Sequence, residues 1–484
     1  MSITSGSFLF LFLPACAGSY HLLLRRCNIT TRNAFLLLAS LGFYAWGEPV
    51  RILLLILMIL ATHLLGAGAA RHARTPAGKR YVLFAVLMNV GALALYKYVD
   101  MLLGTLGHIL GRELLSLGLA LPLGLSYFCF SSISYVVDLY RGKHAPQSLP
   151  GTALYLSAFF KITAGPIAAY GDFEGALRER EVSRDDLAEG AWRFMIGFCK
   201  KAILALNLAH VSRAALEAGA ELSASLAWLG AFAYLLQLYF DFSGYSDMAI
   251  GLGCMFGFRV PENFNYPYIA RSVSEYWRRW HMTLGAWFRD YMYYPLTLGP
   301  AVRLRKRLLK HFDRNVSRVI QSLLVLSLIW STTGLWHGAR WNCVLWGLIN
   351  GLFVFAEGLR TREPKPFWGW LYTFGLSLLV KPLAATGTLG QAARYYGAMM
   401  GMGAPGGWQY TLFLLREYGA FLAAGMLCAA PSGKWLLACI EKKASPRLTR
   451  LVRGVVLGAL LLLFFLALSY SISYAVPEFI YGKY

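Results

Sequence analysis

Two of the nine histidines in this 484-residue chain stand where polar chemistry is expensive to keep. His337 falls between two apolar runs, 319–336 and 341–358, in the string Thr333, Gly334, Leu335, Trp336, His337, Gly338, Ala339, Arg340, Trp341, Asn342. Removal from water favours the uncharged imidazole, the form that can accept a proton. Gly334 and Gly338 leave room for a ligand or another backbone. His281 follows Glu275, Trp277, Arg278, Arg279 and Trp280, and precedes Thr283. Arginines beside tryptophans suit the membrane interface, either as lipid anchors or as a grip on an anionic, phosphate-bearing donor such as coenzyme A. A third cluster, Gln237, Asp241, Ser243, Tyr245 and Asp247, lies inside the apolar run 224–256. Each intramembrane charge costs roughly 2.5–3.5 kcal/mol on insertion scales, so these carboxylates must line a polar path or pair within the bundle.

The elements that hold these residues are membrane helices. Hydrophobic residues make up 57% of the chain and charged residues 14%, too few to cover a water-facing surface of this size. The excess of 46 Lys and Arg over 24 Asp and Glu is gathered in short clusters between apolar runs: Arg25 and Arg26, Arg71 to Arg80, Arg141 to His144, Lys200 and Lys201, Arg303 to Lys310, and Lys442 to Arg453. That distribution marks cytoplasmic loops rather than a nucleic-acid surface. The eight cysteines are scattered without a C-x-x-C pair and read as buried apolar side chains. The uncharged start is not a secretory signal, and 7–24 is expected to remain as a first span.

Apolar segments fall near 7–24, 33–47, 50–70, 81–99, 114–139, 151–170, 191–212, 224–256, 319–336, 341–358, 367–383, 410–429 and 452–474. Some are short or interrupted, which gives about 11 crossings of an all-α polytopic membrane protein. The basic loops place the N-terminus and Tyr484 outside. Residues 171–190 predict a short cytoplasmic helix after the Gly165–Pro166 break. Residues 257–318, rich in aromatics and carrying Pro261, Pro267 and Pro295, predict an interfacial or re-entrant segment. No internal repeat is visible. Nor is there an H-E-x-x-H pair, a Walker loop, a dinucleotide fingerprint or a G-x-S-x-G elbow, and no metal site is expected.

Together the clusters resemble the membrane-bound O-acyltransferase family, above all its bacterial branch of alginate O-acetylation membrane proteins. The likeness is tightest over 236–296, from Leu236 through Tyr294, and over 334–351, from Gly334 through Trp346 to Gly351. Ala164 to Ile167 and the terminal Phe479 to Tyr481 are weaker echoes. The resemblance implies one integral membrane domain over 1–484, with helices around a funnel open to both sides of the membrane. It also implies a catalytic histidine at His337 and a second functional histidine at His281. Alginate-type members run from the Tyr-Tyr-Pro-Leu position into a Gly-Gly-x-Arg turn. This chain continues from Pro295 to Gly299 and Pro300 and then into the basic stretch Arg303 to Lys310, as in the branch that transfers D-alanine to teichoic acids. That leaves the acceptor open.

The expected reaction is acyl transfer, with acetyl-CoA in the cytoplasm as donor substrate and no bound cofactor. Arg278 and Arg279 would hold donor phosphates. His337 would take the proton of an acceptor hydroxyl, and His281 or a donor near Asn342 would polarise the thioester carbonyl. Asp241, Ser243, Tyr245, Asp247 and Trp336 would line the path or orient partners. The family implies an extracytoplasmic SGNH-hydrolase-like partner that completes O-acetylation of an exported polysaccharide such as alginate, from a bacterial inner membrane. Alternatives are D-alanyl or peptidoglycan acyl transfer, a transporter of lipid-linked sugar, and a scaffold that only recruits an esterase.

Overall fold

A computed structural model describes residues 2–360, 364–443 and 445–474. The echo at Phe479 to Tyr481 and the terminal Tyr484 lie outside the described residues. Among the described residues the chain is helical, with no β-strand. Among the described residues six helices are long and apolar enough to cross a membrane: Ile52–Arg71, Pro76–Leu110, Arg184–Leu216, Arg314–His337, Trp408–Cys428 and Pro446–Ser473. The chain divides into two compact units. One comprises Met1–Phe194 and Ser246–Glu262, the other Met195–Tyr245 and Asn263–Tyr484.

In the first unit, the helices Ile52–Arg71, Pro76–Leu93 and Leu125–Tyr140 pack together. Their contact is tied by buried hydroxyls and an amide: Thr62 Oγ1 lies 2.7 Å from Ser132 Oγ, and Asn89 Nδ2 donates to the same Ser132 oxygen at 2.9 Å. Lipid offers no hydrophobic drive between helices, so small and polar groups supply much of the adhesion. The apolar segment 114–139 is not one helix. It runs irregularly to Gly124 before the helix Leu125–Tyr140 begins. Pro122 interrupts it, and Gly124 takes φ +70 where a Cβ would stand 2.0 Å from the Ile162 carbonyl oxygen. The Asp100 carboxylate accepts from the backbone N–H groups of Leu117 and Gly118, at 2.7 and 3.2 Å, and holds the approach to this turn.

The segment 151–170 likewise supplies only the helix Leu149–Ser157 before the Gly165–Pro166 break. Beyond it the helix expected over 171–190 is broken at 179–183, and its second part joins the apolar segment 191–212, so Lys200 and Lys201 lie within a helix and not in a loop. Tyr170–Arg178 is short, and Arg184–Cys199 continues through a wider turn, Lys200–Ala205, to Leu216.

In the second unit, the segment read as interfacial is indeed broken. The helix Val273–Arg279 ends at a turn around His281, Met282–Phe288 continues through Arg289–Tyr293 to Tyr294–Leu298, and Gly299 separates that stretch from Pro300–Leu308. They lead into the hairpin of Arg314–His337 and Trp341–Gly358, with Pro366–Ala385 packed against the latter.

Candidate active site

The hairpin fixes His337. Its two helices approach so closely that a Cβ on Gly334 would lie 2.3 Å from the Cys343 carbonyl oxygen, and one on Gly347 would lie 2.1 Å from that of Trp330. His337 is the last residue of the first helix, which stops because Gly338 turns extended. Asn342 secures the other side. Its Nδ2 donates to the Leu383 carbonyl at 3.0 Å and to that of Thr386, which ties the second helix to the end of Pro366–Ala385. Both N–H bonds of this amide are therefore engaged with backbone.

The short helix Val273–Arg279 is fixed at its N-terminus by two residues. Ser272 Oγ accepts from the Glu275 N–H at 3.0 Å, and the Glu357 carboxylate accepts from the N–H groups of Val273 and Ser274, at 2.7 and 2.9 Å. Arg279 bonds Glu275 (Nε to Oε1, 2.9 Å) and the Asn265 carbonyl (3.1 Å), whereas Arg278 is exposed. Burial alone would raise the Glu275 carboxyl. The Arg271 N–H and the Arg279 guanidinium outweigh that and hold it below the usual carboxylate range.

His281 links this helix to the next in a left-handed backbone, φ 45 and ψ 52, which an L-residue adopts only at a cost of about 1–2 kcal/mol. Asn263 anchors it. The Asn263 Oδ1 accepts from the Thr283 N–H (3.3 Å) and hydroxyl (2.9 Å), and His281 Nδ1 lies 3.0 Å from the same oxygen. With Oδ1 acting as acceptor, the network assigns the proton to Nδ1 and leaves the Nε2 lone pair open. That atom is buried and has no hydrogen-bond partner among the described residues. His281 belongs to the wall of a mostly apolar cavity of about 200 Å³ that also takes in Trp277, Trp280, Trp330 and Thr333, with Arg289 among the polar groups. Arg289 is paired with Asp290 at 2.9 Å.

His337 borders a second, smaller cavity with Tyr234, Arg340, Cys343, Trp346 and Lys381. Trp336 stands against both histidines: its ring centroid is 5.4 Å from that of His281 and 4.8 Å from that of His337. Trp346 covers His337 from another side at 4.8 Å. The fold thus gathers His281, Trp336 and His337, although 55 residues of sequence separate His281 from Trp336.

The third cluster behaves differently. Asp241 forms a buried ion pair with Lys201, and Gln237 accepts from the Ser212 hydroxyl. Ser243 and Tyr245 are buried on the same helix. None of Asp241, Ser243 and Tyr245 lines either histidine cavity. Asp247 belongs to the first unit, where Arg193 bonds it at 2.9 Å and also reaches Glu262.

Sequence reasoning passed over Asn263 and Lys381, and took Arg289 only as part of the charged string that runs from Glu275 to Asp290. A lysine alone in the apolar run 367–383 carries the same insertion cost that singles out Asp241, and that cost was the available signal. Asn263 announces itself by nothing local, since its partners lie 18 and 20 residues away. Among the described residues, one group of possible metal ligands comes together, Asp186, Glu189 and Cys254. Arg259 already occupies it, bonding Asp186 and lying 3.5 Å from Glu189 and 3.3 Å from the Cys254 sulfur.

Residues 38–368 match the family model of the membrane-bound O-acyltransferases. The chain is 38% identical to the probable alginate O-acetylase AlgI of Pseudomonas putida, over 83% of this chain and 81% of that protein. It is 30% identical to the peptidoglycan O-acetyltransferase of Helicobacter pylori, over 82% and 79%. The teichoic acid D-alanyltransferase of Bacillus subtilis is 28% identical over 51% of this chain and 62% of its own. With its membrane-length helices and this match across most of its length, the chain belongs to the membrane-bound O-acyltransferase family and is an acyltransferase.

Proposed function

We propose that the whole chain, 1–484, works as one acyltransferase of a bacterial inner membrane, moving an acetyl group from cytoplasmic acetyl-CoA to an exported polysaccharide such as alginate. The observation that carries this reading is the pair of buried histidines that both pack against Trp336, each bordering its own cavity. Similarity to the alginate O-acetylases over four fifths of both chains favours acetyl and a polymer acceptor.

In this mechanism the acceptor hydroxyl attacks the thioester carbonyl while His337 takes its proton. The tetrahedral intermediate then collapses, the carbon–sulfur bond breaks, and the proton held by His337 passes to the departing thiolate. His281, its ring set by Asn263, presents its Nε2 lone pair and orients the substrate by accepting a hydrogen bond, rather than by polarising the thioester carbonyl. Arg278 and the basic helix near 303–310 receive donor phosphates, and Arg279 holds the loop around them. Asn342 positions the hairpin that carries His337, while Trp336 packs against both imidazoles and sets their orientation. Asp241, Ser243, Tyr245 and Asp247 organise the surrounding helices and the path. About 11 crossings around a funnel, counting shorter helices with the six long ones, would give the donor and the acceptor access from opposite faces. An SGNH-hydrolase-like protein outside the membrane would complete the transfer to polymer.

Replacing His337 with alanine tests this reading. With membrane abundance unchanged, ester on the exported polymer should fall by roughly 100- to 10,000-fold while polymer export continues. Lost export would instead indicate a transporter, and retained ester a scaffold.

A further inference from the structure

Lys381 has no role in the mechanism above, yet its side chain borders the His337 cavity. It is buried to 4% exposure and forms no ion pair among the described residues. Its ammonium instead lies within a ring of aromatic faces: Trp280 at 4.3 Å, Tyr276 and Trp346 at 5.7 Å, and Trp277 at 5.8 Å. Cation–π attraction returns only part of the hydration that such a charge gives up. No carboxylate among the described residues forms an ion pair with it, so in its protonated form its field extends into the cavity where His337 sits.

A carbonyl oxygen gaining negative charge during attack is the complement of that field. An acyl group carrying its own ammonium is the reverse, because two like charges at a buried site repel strongly. We propose that Lys381 sets the acyl class of this enzyme, admitting uncharged acyl groups and excluding cationic aminoacyl groups such as alanyl. This rests on acyl transfer at His337 and decides between the acetyl and D-alanyl activities named among the relatives. Discrimination of this kind comes from a repulsive element as much as an attractive one.

The test uses two thioesters of equal shape. Propionyl-CoA and glycyl-CoA differ by a methyl group exchanged for an ammonium. Membrane vesicles carrying the full chain are supplied with each, and with acetyl-CoA, and acyl ester is measured on the exported polymer of the producing cell. The native protein should favour propionyl over glycyl by about 100-fold or more. In Lys381→Met the preference should shrink below about 10-fold, with slower acetyl transfer, while Lys381→Arg keeps it. Lys381→Gln gives the same reading should the methionine variant not reach the membrane. Equal use of both thioesters by the native protein, or an unchanged preference in the uncharged variants, overturns the role of Lys381 and leaves acetyl transfer standing. A native protein that transfers none of the three overturns the acyl-CoA reading as well.

Discussion

Lys201 and Lys381 lose water to nearly the same extent, 2% and 4% exposed, in the same unit of the molecule. Lys201 is met by the Asp241 carboxylate, itself buried. Lys381 is met by indole and phenol faces and by a cavity. The first arrangement is closed: charge answers charge and nothing remains for a ligand. The second is open on one side. Lys161 of the first unit lies between the two cases, held by the Tyr155 ring at 4.0 Å and by Ser131 Oγ at 3.5 Å. A buried charge marks a working site when its partner leaves part of the field unspent, and a structural joint when the partner consumes it.

Removing one member of the closed pair is the sharpest way to break this contrast. Asp241→Ala leaves Lys201 buried and unanswered, and should cost about 3–5 kcal/mol, read as a fall in the midpoint of thermal unfolding in detergent and in membrane abundance. The open lysine should respond in the opposite way. Lys381→Met keeps the volume and removes a charge without a counterion, so its stability should stay within about 1.5 kcal/mol of the native protein, or rise, even as activity falls. If Lys381→Met proves as damaging to folding as Asp241→Ala, the distinction between the two sites fails.

The smallest effect belongs to Glu275, a half-open case beside Arg279. Its carboxyl is held below the usual range in the folded chain, so its contribution is complete above the unfolded value. That contribution disappears as pH falls through the lower folded value. For a partly exposed pair it amounts to about 0.2–1 kcal/mol. Glu275→Gln should therefore lower stability slightly at neutral pH and leave it unchanged at strongly acid pH, which thermal unfolding across a pH series would check.

The sequence pointed to His337, His281 and Trp336 because polar and aromatic residues between apolar runs have few unremarkable uses. It also showed the helical membrane class and the broken character of 257–318. Lys381 escaped notice because its significance lies in what faces it: Trp280 and Trp346 come from helices far away along the chain. Asp241 drew attention on cost alone, and cost cannot reveal that Lys201 stands opposite. The irregular stretch before Gly124 was hidden for a related reason. Apolar composition reports burial, whereas the turn there depends on an approach to Ile162 that hydropathy does not encode.

The backbone-to-backbone seam at Gly334 and Gly347 bears on how turnover proceeds. Helices in contact at their main chains cannot slide past each other without colliding, so the imidazole at the end of this hairpin keeps a fixed place relative to the helix Trp341–Gly358. Change of shape beside it is then left to side chains turning about their χ angles, which are local hops rather than the slower shear of whole helices.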